Sequence, residues 1–141
     1  IRGYKYDGYY ARICGLKSYF DENMKLLDDE NLDALFTGGQ IYTKIRDDNP
    51  TRYINGCKTK NNLVADGCVI EGDVENCVLF RGVKIAKGAK IRNSVLMQDT
   101  VVNAGARLDY VVTDKNVTIE VGQELKGTDT QPFYVAKGQT V

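Results

Sequence analysis

The sequence predicts a mainly β protein: a parallel β-helix of hexapeptide repeats, preceded by a short helical segment and a linker. Three observations carry this. Apolar residues recur every six positions, as Val83, Ala89, Val95 and Val101 in one series and Leu79, Ile85, Ile91 and Met97 in another. A helix repeats every 3.6 residues and a strand every two, so neither alone gives a step of six. The stretch Asn62–Leu125 also divides into short units of turn residue, small apolar, any residue, aliphatic: GCVI, NCVL, GVKI, GAKI, SVLM, TVVN, GARL, NVTI and GQEL. Finally, glycine or asparagine opens most units, and these residues tolerate the backbone conformations that sharp corners need.

Such a repeat is the signature of a solenoid in which three hexads make one triangular coil of about eighteen residues. The small apolar residue points into the narrow bore, and coils stack about 4.8 Å apart through backbone hydrogen bonds. The reading therefore places Val83, Ala89, Val95, Val101 and Ala106 inside the bore. The spacing slips to five at Ala106 and Val111 and returns to six at Val117, with a three-residue slip between Val74 and Cys77. Sixty-four residues between Asn62 and Leu125 give three to four coils. A stack this short exposes both ends and needs caps. The C-terminal QPFYVAKGQTV offers one further strand, Phe133–Ala136, whose Lys137-Gly138 turn echoes Lys87-Gly88.

The N-terminal third has another character. Leu16, Tyr19, Phe20, Asn23, Met24 and Leu27 fall on helical spacing. A second helix is predicted over Asp29–Phe36, with Asp28 or Asp29 as its N-cap and Gly38-Gly39 as its stop. QIYTKI reads as a strand and RDDNPTRY as a loop around Pro50. Tyr4, Tyr6, Tyr9 and Tyr10 cluster with little of their own to pack on, as at the torn edge of a larger domain. With Ile1 as first residue, the expectation is a piece of a longer chain, divided into 1–30, the tail of a preceding domain; 31–61, a linker; and 62–141, the β-helix.

Composition narrows the function. Nineteen basic and nineteen acidic residues cancel, which gives no electrostatic case for nucleic acid or an anionic membrane as partner. No apolar run approaches the ~20 residues that span a bilayer, and no signal peptide is visible. Cys14, Cys57, Cys68 and Cys77 form no CxxC pair, so they read as small buried thiols of a reducing, cytoplasmic compartment rather than metal ligands. The chain has no histidine, which removes Ser-His and Cys-His nucleophiles and the commonest general base. No glycine-rich nucleotide loop occurs.

The segment GYYARICGLKSYFDENMKLL, residues 8–27, resembles the end of the nucleotidyltransferase domain of ADP-glucose pyrophosphorylases (glucose-1-phosphate adenylyltransferases). Gly8, Tyr9, Ile13, Ser18, Tyr19, Asn23, Leu26 and Leu27 fit that family's pattern. IYTK and the Pro50 loop resemble its linker, and SVLMQDT and DKNVTI its β-helix rungs. The resemblance implies a left-handed β-helix and a place in glycogen biosynthesis. It also implies Mg²⁺ in an intact catalytic subunit, and no cofactor in this segment.

One departure bears on activity. Catalytic subunits of the family carry a metal-holding aspartate where this chain has Arg12, and a fixed cation repels Mg²⁺. The chain thus resembles the non-catalytic, regulatory type of subunit, whose implied partner is a catalytic subunit in a homo- or hetero-oligomer. The family binds phosphorylated metabolites as effectors, and two of its basic positions fall on Arg52 and Lys115. Asn49 replaces the first proline of the family's linker, so the loop before Arg52 has its own shape. Two rivals remain. Hexapeptide-repeat acyltransferases typically use a histidine base, absent here; an oligomerisation scaffold would bind no ligand.

Overall fold

The structure, a computed structural model, describes residues 1–141. Fifteen short strands form three five-stranded parallel sheets. Sheet A stacks β1 (Arg52–Tyr53), β4 (Val69–Ile70), β7 (Lys84–Ile85), β10 (Val101–Val102) and β13 (Thr118–Ile119). Sheet B stacks β2 (Lys58–Lys60), β5 (Asp73–Glu75), β8 (Lys90–Arg92), β11 (Arg107–Asp109) and β14 (Glu124–Lys126). Sheet C stacks β3 (Leu63–Val64), β6 (Val78–Leu79), β9 (Val95–Leu96), β12 (Val111–Thr113) and β15 (Phe133–Val135). Each run of three consecutive strands is one coil, so the chain is a parallel β-solenoid, as the six-residue spacing predicts.

The coils are shorter than three full hexads. Arg52 pairs with Val69, Val69 with Lys84, Lys84 with Val101, and Val101 with Thr118, which gives coils of 17, 15, 17 and 17 residues. The trimmed corner in each lies between sheets B and C, where one residue in the left-handed conformation makes the turn: Asn61, Asn76, Asn93 and Tyr110, with φ of 52°, 53°, 47° and 54°. The three-residue step from Val74 to Cys77 is therefore regular. The real irregularity is Gly72, where the corner between sheets A and B loses two further residues. A Cβ there would lie 2.5 Å from the Ala89 carbonyl oxygen and 2.9 Å from that of Ala86.

This trimming corrects two inward assignments. Val83, Ala89 and Ala106 are fully buried in the bore with Cys68, Ile70, Cys77, Ile85, Ile91, Leu96, Val102 and Leu108. Val95 is buried, but on the outer face of sheet C, while Val101 lies half-buried on the outside of sheet A. Because faces alternate with period two, a corner one residue short moves every following side chain to the opposite face. Ser94 and Leu96 thus point inward instead of Val95, Thr100 and Val102 instead of Val101, and Met97 leaves the bore. The polar residues drawn inside find partners, as buried hydroxyls must. Ser94 Oγ donates to the Arg92 carbonyl at 2.6 Å and accepts from the Val111 N–H at 3.1 Å. Thr100 and Thr113 share a hydroxyl–hydroxyl bond of 2.9 Å.

Two helices precede the solenoid, α1 (Leu16–Lys25) and α2 (Asp29–Phe36). Ser18 Oγ accepts from the N–H groups of Cys14 and Gly15 at the start of α1. The N-cap of α2 is Asp28, whose Oδ1 accepts from the N–H groups of Glu30 and Asn31. Phe20, buried, and the half-buried Leu16, Tyr19, Met24 and Leu27 lay α1 over Val78, Val95 and Val112 on the outer face of sheet C. The tail assigned to residues 1–30 is therefore joined to the solenoid by a second apolar core.

Three further differences have physical reasons. QIYTKI is not a strand: residues 40–51 are irregular and leave the open edges at β1, β2 and β3 unpaired. The first coil begins at Arg52, inside the segment read as a linker; of its inward positions Thr51 and Asn62 are polar, and only Cys57 is a small apolar residue of the kind that marks later coils. Of the four thiols only Cys68 and Cys77 are buried, while Cys14 is exposed. The stack is capped at its far end by residues 139–141, where Thr118 N–H donates to the Gln139 carbonyl and Glu120 N–H to that of Val141. Tyr4, Tyr6 and Tyr10 stand exposed in extended chain.

Ala89→Phe and Gly72→Ala should each overpack the bore and cost about 1–3 kcal/mol, more for Gly72 because backbone oxygens oppose the new methyl. Thermal unfolding checks this; unchanged melting temperatures would contradict the assigned interior.

Candidate functional site

Lys115 occupies the corner between β12 and β13. Its backbone is fixed on both sides: Asn116 N–H donates to the Gln98 carbonyl at 2.9 Å, and the Lys115 carbonyl accepts from Gly138 N–H at 3.0 Å. Asp114 closes the turn, its Oδ1 accepting from the Lys115 N–H at 2.7 Å. The other oxygen, Oδ2, accepts from the Tyr134 hydroxyl at 3.0 Å. That bond holds the Tyr134 phenol above its ordinary pKa, since ionisation would set two anions side by side. Tyr19 on α1 is also raised, chiefly by burial and in part by the Asp114 charge. The exposed Lys115 thus lies on a rigid corner whose Asp114 carboxylate is bonded to the Tyr134 phenol and whose charge reaches Tyr19 on α1.

Arg52 is the first residue of β1. Its N–H donates to the Cys68 carbonyl at 2.8 Å, its side chain is exposed, and it makes no ion pair. The loop before it is held by Asp48, which receives Arg46 at 3.4 Å on Oδ1 and has Arg81 Nε 3.8 Å from Oδ2. The Cβ of Asp48 sits above Gly67, where a methyl would meet it at 3.5 Å. Arg52 is four coil registers from Thr118, about 19 Å along the stack, and Lys115 lies one corner before Thr118. The two cations therefore occupy opposite ends of the solenoid and do not converge within one chain.

Arg12 is exposed in the extended segment before α1. No group of three or more Cys, Asp or Glu side chains comes together to hold a metal ion.

Nor do the thiols form a nucleophilic site. Burial raises Cys77 to about 12, and its Sγ donates to the Glu75 carbonyl. Burial also raises Cys68.

Two outer surfaces remain. Sheet B presents a wholly charged face: Lys58, Asp73, Lys90, Arg107 and Glu124 in one column, and Lys60, Glu75, Arg92, Asp109 and Lys126 in the next. The second column alternates in sign, so its neighbouring rungs neutralise one another, while the first sets Lys90 beside Arg107. Beside α2, an apolar cleft of about 340 Å³ lies between Phe36, Leu63, Val78 and Phe80, with Arg81 and Gln98 at its rim. No helix is long and apolar enough to cross a membrane.

The repeat and the three stacked parallel sheets together define a hexapeptide-repeat β-solenoid protein. A sequence model of the GlmU-like C-terminal hexapeptide family matches residues 45–141. The chain belongs to that family. It is 42% identical over 136 residues to the glycogen biosynthesis protein GlgD of Bacillus subtilis (strain 168), covering 96% of this chain and 40% of that protein. It is 48% identical over 117 residues to GlgD of Geobacillus stearothermophilus, covering 82% of this chain and 34% of that one. Against the glucose-1-phosphate adenylyltransferase of Acetivibrio thermocellus it is 32% identical over 146 residues, covering 98% and 34%. The resemblance to ADP-glucose pyrophosphorylases, and within them to the GlgD type, is thus borne out. The chain spans between a third and two-fifths of the length of these relatives.

Sequence reasoning reached Lys115 between Asp114 and Asn116 but missed Tyr134 and Tyr19 as partners of Asp114. The only local signal was the Asp-Lys-Asn turn; the phenols arrive from 20 and more residues away.

Alkylation at pH 8 should modify Cys14 readily and leave Cys77 unmodified until the chain unfolds, as mass spectrometry of the peptides would show. Asp114→Asn should return the Tyr134 titration to the ordinary tyrosine range, read by ultraviolet difference spectroscopy; no shift would remove the bond from the site.

Proposed function

We propose that this chain is the C-terminal regulatory and assembly part of a subunit of a heteromeric glucose-1-phosphate adenylyltransferase. The intact enzyme would join ATP and glucose 1-phosphate into ADP-glucose and pyrophosphate for glycogen synthesis. The observation that carries this reading is the 42% identity to a GlgD along 96% of the chain, against 32% to an adenylyltransferase over a similar span. Arg12 supports it: an exposed cation stands where catalytic subunits place a metal-holding acid, and no carboxylate cluster replaces it. The chain then contributes no catalytic group and no cofactor of its own. It acts in the cytoplasm through a partner, the catalytic subunit.

Regulation in this reading is coupling: an effector shifts the enzyme between states only if it binds one more tightly than the other. Lys115, on its rigid corner, and Arg52, at the opposite end, are each suited to one phosphate group of a metabolite. Since they do not converge in one chain, each would be completed by residues from elsewhere in the oligomer.

The test is ADP-glucose formation by the full-length subunit alone, by its catalytic partner alone, and by the mixture, with and without phosphorylated metabolites. The subunit alone should show negligible synthesis, and the mixture should differ from the catalytic partner in rate or effector response. Lys115→Ala and Arg52→Ala should each weaken the effector response, roughly tenfold in apparent affinity if a charge-assisted bond is lost. Robust synthesis by the subunit alone overturns the non-catalytic assignment. A mixture that behaves as the catalytic partner does alone leaves a scaffold.

A further inference from the structure

Tyr110 breaks the pattern of its own corner. In the first three coils the turn from sheet B to sheet C is made by Asn61, Asn76 and Asn93, and these asparagines are bonded to one another. Asn61 Nδ2 donates to Asn76 Oδ1 at 2.8 Å, and Asn76 Nδ2 to Asn93 Oδ1 at 3.4 Å. Asparagine is suited to this place because it tolerates positive φ. In the fourth coil the place is taken by Tyr110 at φ 54°, and Asn93 turns instead to Asp109, Oδ1 at 3.0 Å. A bulky aromatic residue at positive φ is strained and persists only where its surroundings over-determine it.

Those surroundings lie in two directions. The Tyr110 ring packs against Phe20 of α1, with centroids 6.0 Å apart and planes tilted by 54°, inside the cluster that seats α1 on sheet C. The Tyr110 carbonyl faces the last coil: it accepts from the Phe133 N–H at 2.9 Å, and it lies 2.5 Å from where a Gly127 Cβ would stand. The strained residue is therefore the joint between α1 and the segment Gly127–Val135 that carries the last strand of sheet C.

We propose that Tyr110 is a conformational coupling device: α1, when docked, holds the strained corner through Phe20, and the corner in turn holds the last coil through the Phe133 amide. Undocking α1 removes one of the contacts that sustain the left-handed backbone at Tyr110, the others being the closure of the coil itself and the bond from the Tyr110 N–H to the Arg92 carbonyl at 3.3 Å. The corner then relaxes, and β15 loosens with it. The first three coils, whose corners are asparagine, do not respond. The docking state of the helix is thus passed to the far end of the chain without any change in the bore.

Amide hydrogen exchange on the chain and its variants tests this. In Phe20→Ala the Phe133 amide should exchange roughly fivefold faster or more, the factor that one strained residue represents, while the amides of Asn76 and Asn93 keep their rates. Tyr110→Asn places the tolerant residue at the corner. It should free α1 yet leave the Phe133 amide at least as protected as in the parent chain, and in the double variant Phe20→Ala should no longer affect Phe133. An unchanged Phe133 rate in Phe20→Ala overturns the proposal. So does an equal acceleration of all three amides, which is general destabilisation, and so does loss of Phe133 protection in Tyr110→Asn, which makes the ring a simple packing element.

Discussion

Every coil must bring three strands round a bore in which the side chains of all three meet, and the bore accepts one small and one aliphatic residue from each face. Pairs such as Val83/Ile85, Ala89/Ile91 and Ser94/Leu96 meet that limit in one coil, and Thr100/Val102 opens the next. The limit also sets the corners. A coil of 17 residues closes only if one corner is turned by a single residue, and that residue must take positive φ. From this follow the column of asparagines, the parallel register of fifteen strands, and the sorting of outward residues into faces of different character. A stack of this kind gains its stability between neighbours rather than within one repeat, so its end needs closing, as residues 139–141 do here.

Chemistry is thereby confined to the outside. A dry bore holds hydroxyls and thiols only where a carbonyl waits for them, as for Ser94 and Cys77. Sheet B carries charge, sheet C carries the seat of α1, and the corner at Lys115 carries a cation beside a carboxylate. Tyr19 comes to that corner on α1, and Tyr134 comes on the last coil. The surroundings of Lys115 thus depend on the same two elements that meet at Tyr110. A protein whose rungs are rigid and whose helix is attached by one small apolar cluster has its freedom concentrated in that attachment.

Much of the fold was legible because the repeat is periodic. The helices α1 and α2, the parallel coils, the corner glycines and the C-terminal strand were all readable. What failed did so at single residues. The shortened corner at Asn93 moved Val95, Val101 and Met97 across the sheet, since six-residue counting cannot see a corner that drops one position. The first coil was hidden because two of its three inward positions, Thr51 and Asn62, are polar. QIYTKI has strand-like composition but is irregular chain. At the candidate site, Lys115 and Asp114 were visible and the phenols were not, because Tyr134 and Tyr19 come to Asp114 only through stacking of coils and docking of a helix. The separation of Arg52 from Lys115 along the axis is likewise a property of the stack, not of either local motif.

The asparagine column has a consequence for how the protein ages. Deamidation begins when the backbone nitrogen of the following residue attacks the side-chain amide carbon, and Asn93-Ser94 is a pair of the kind in which a small following residue offers little hindrance. In the column the side-chain amides are held by their neighbours in the stack, which restrains the rotation that the attack requires. Asparagine is a thermolabile residue in general, yet here three of them form one of the more constrained parts of the molecule. Were one to hydrolyse, the product would be a carboxylate where an amide had donated, facing the oxygen of the next rung. The resulting repulsion would be carried along the whole edge of the solenoid. The same stacking that keeps these residues young would make a single damaged one felt by its neighbours in adjoining coils.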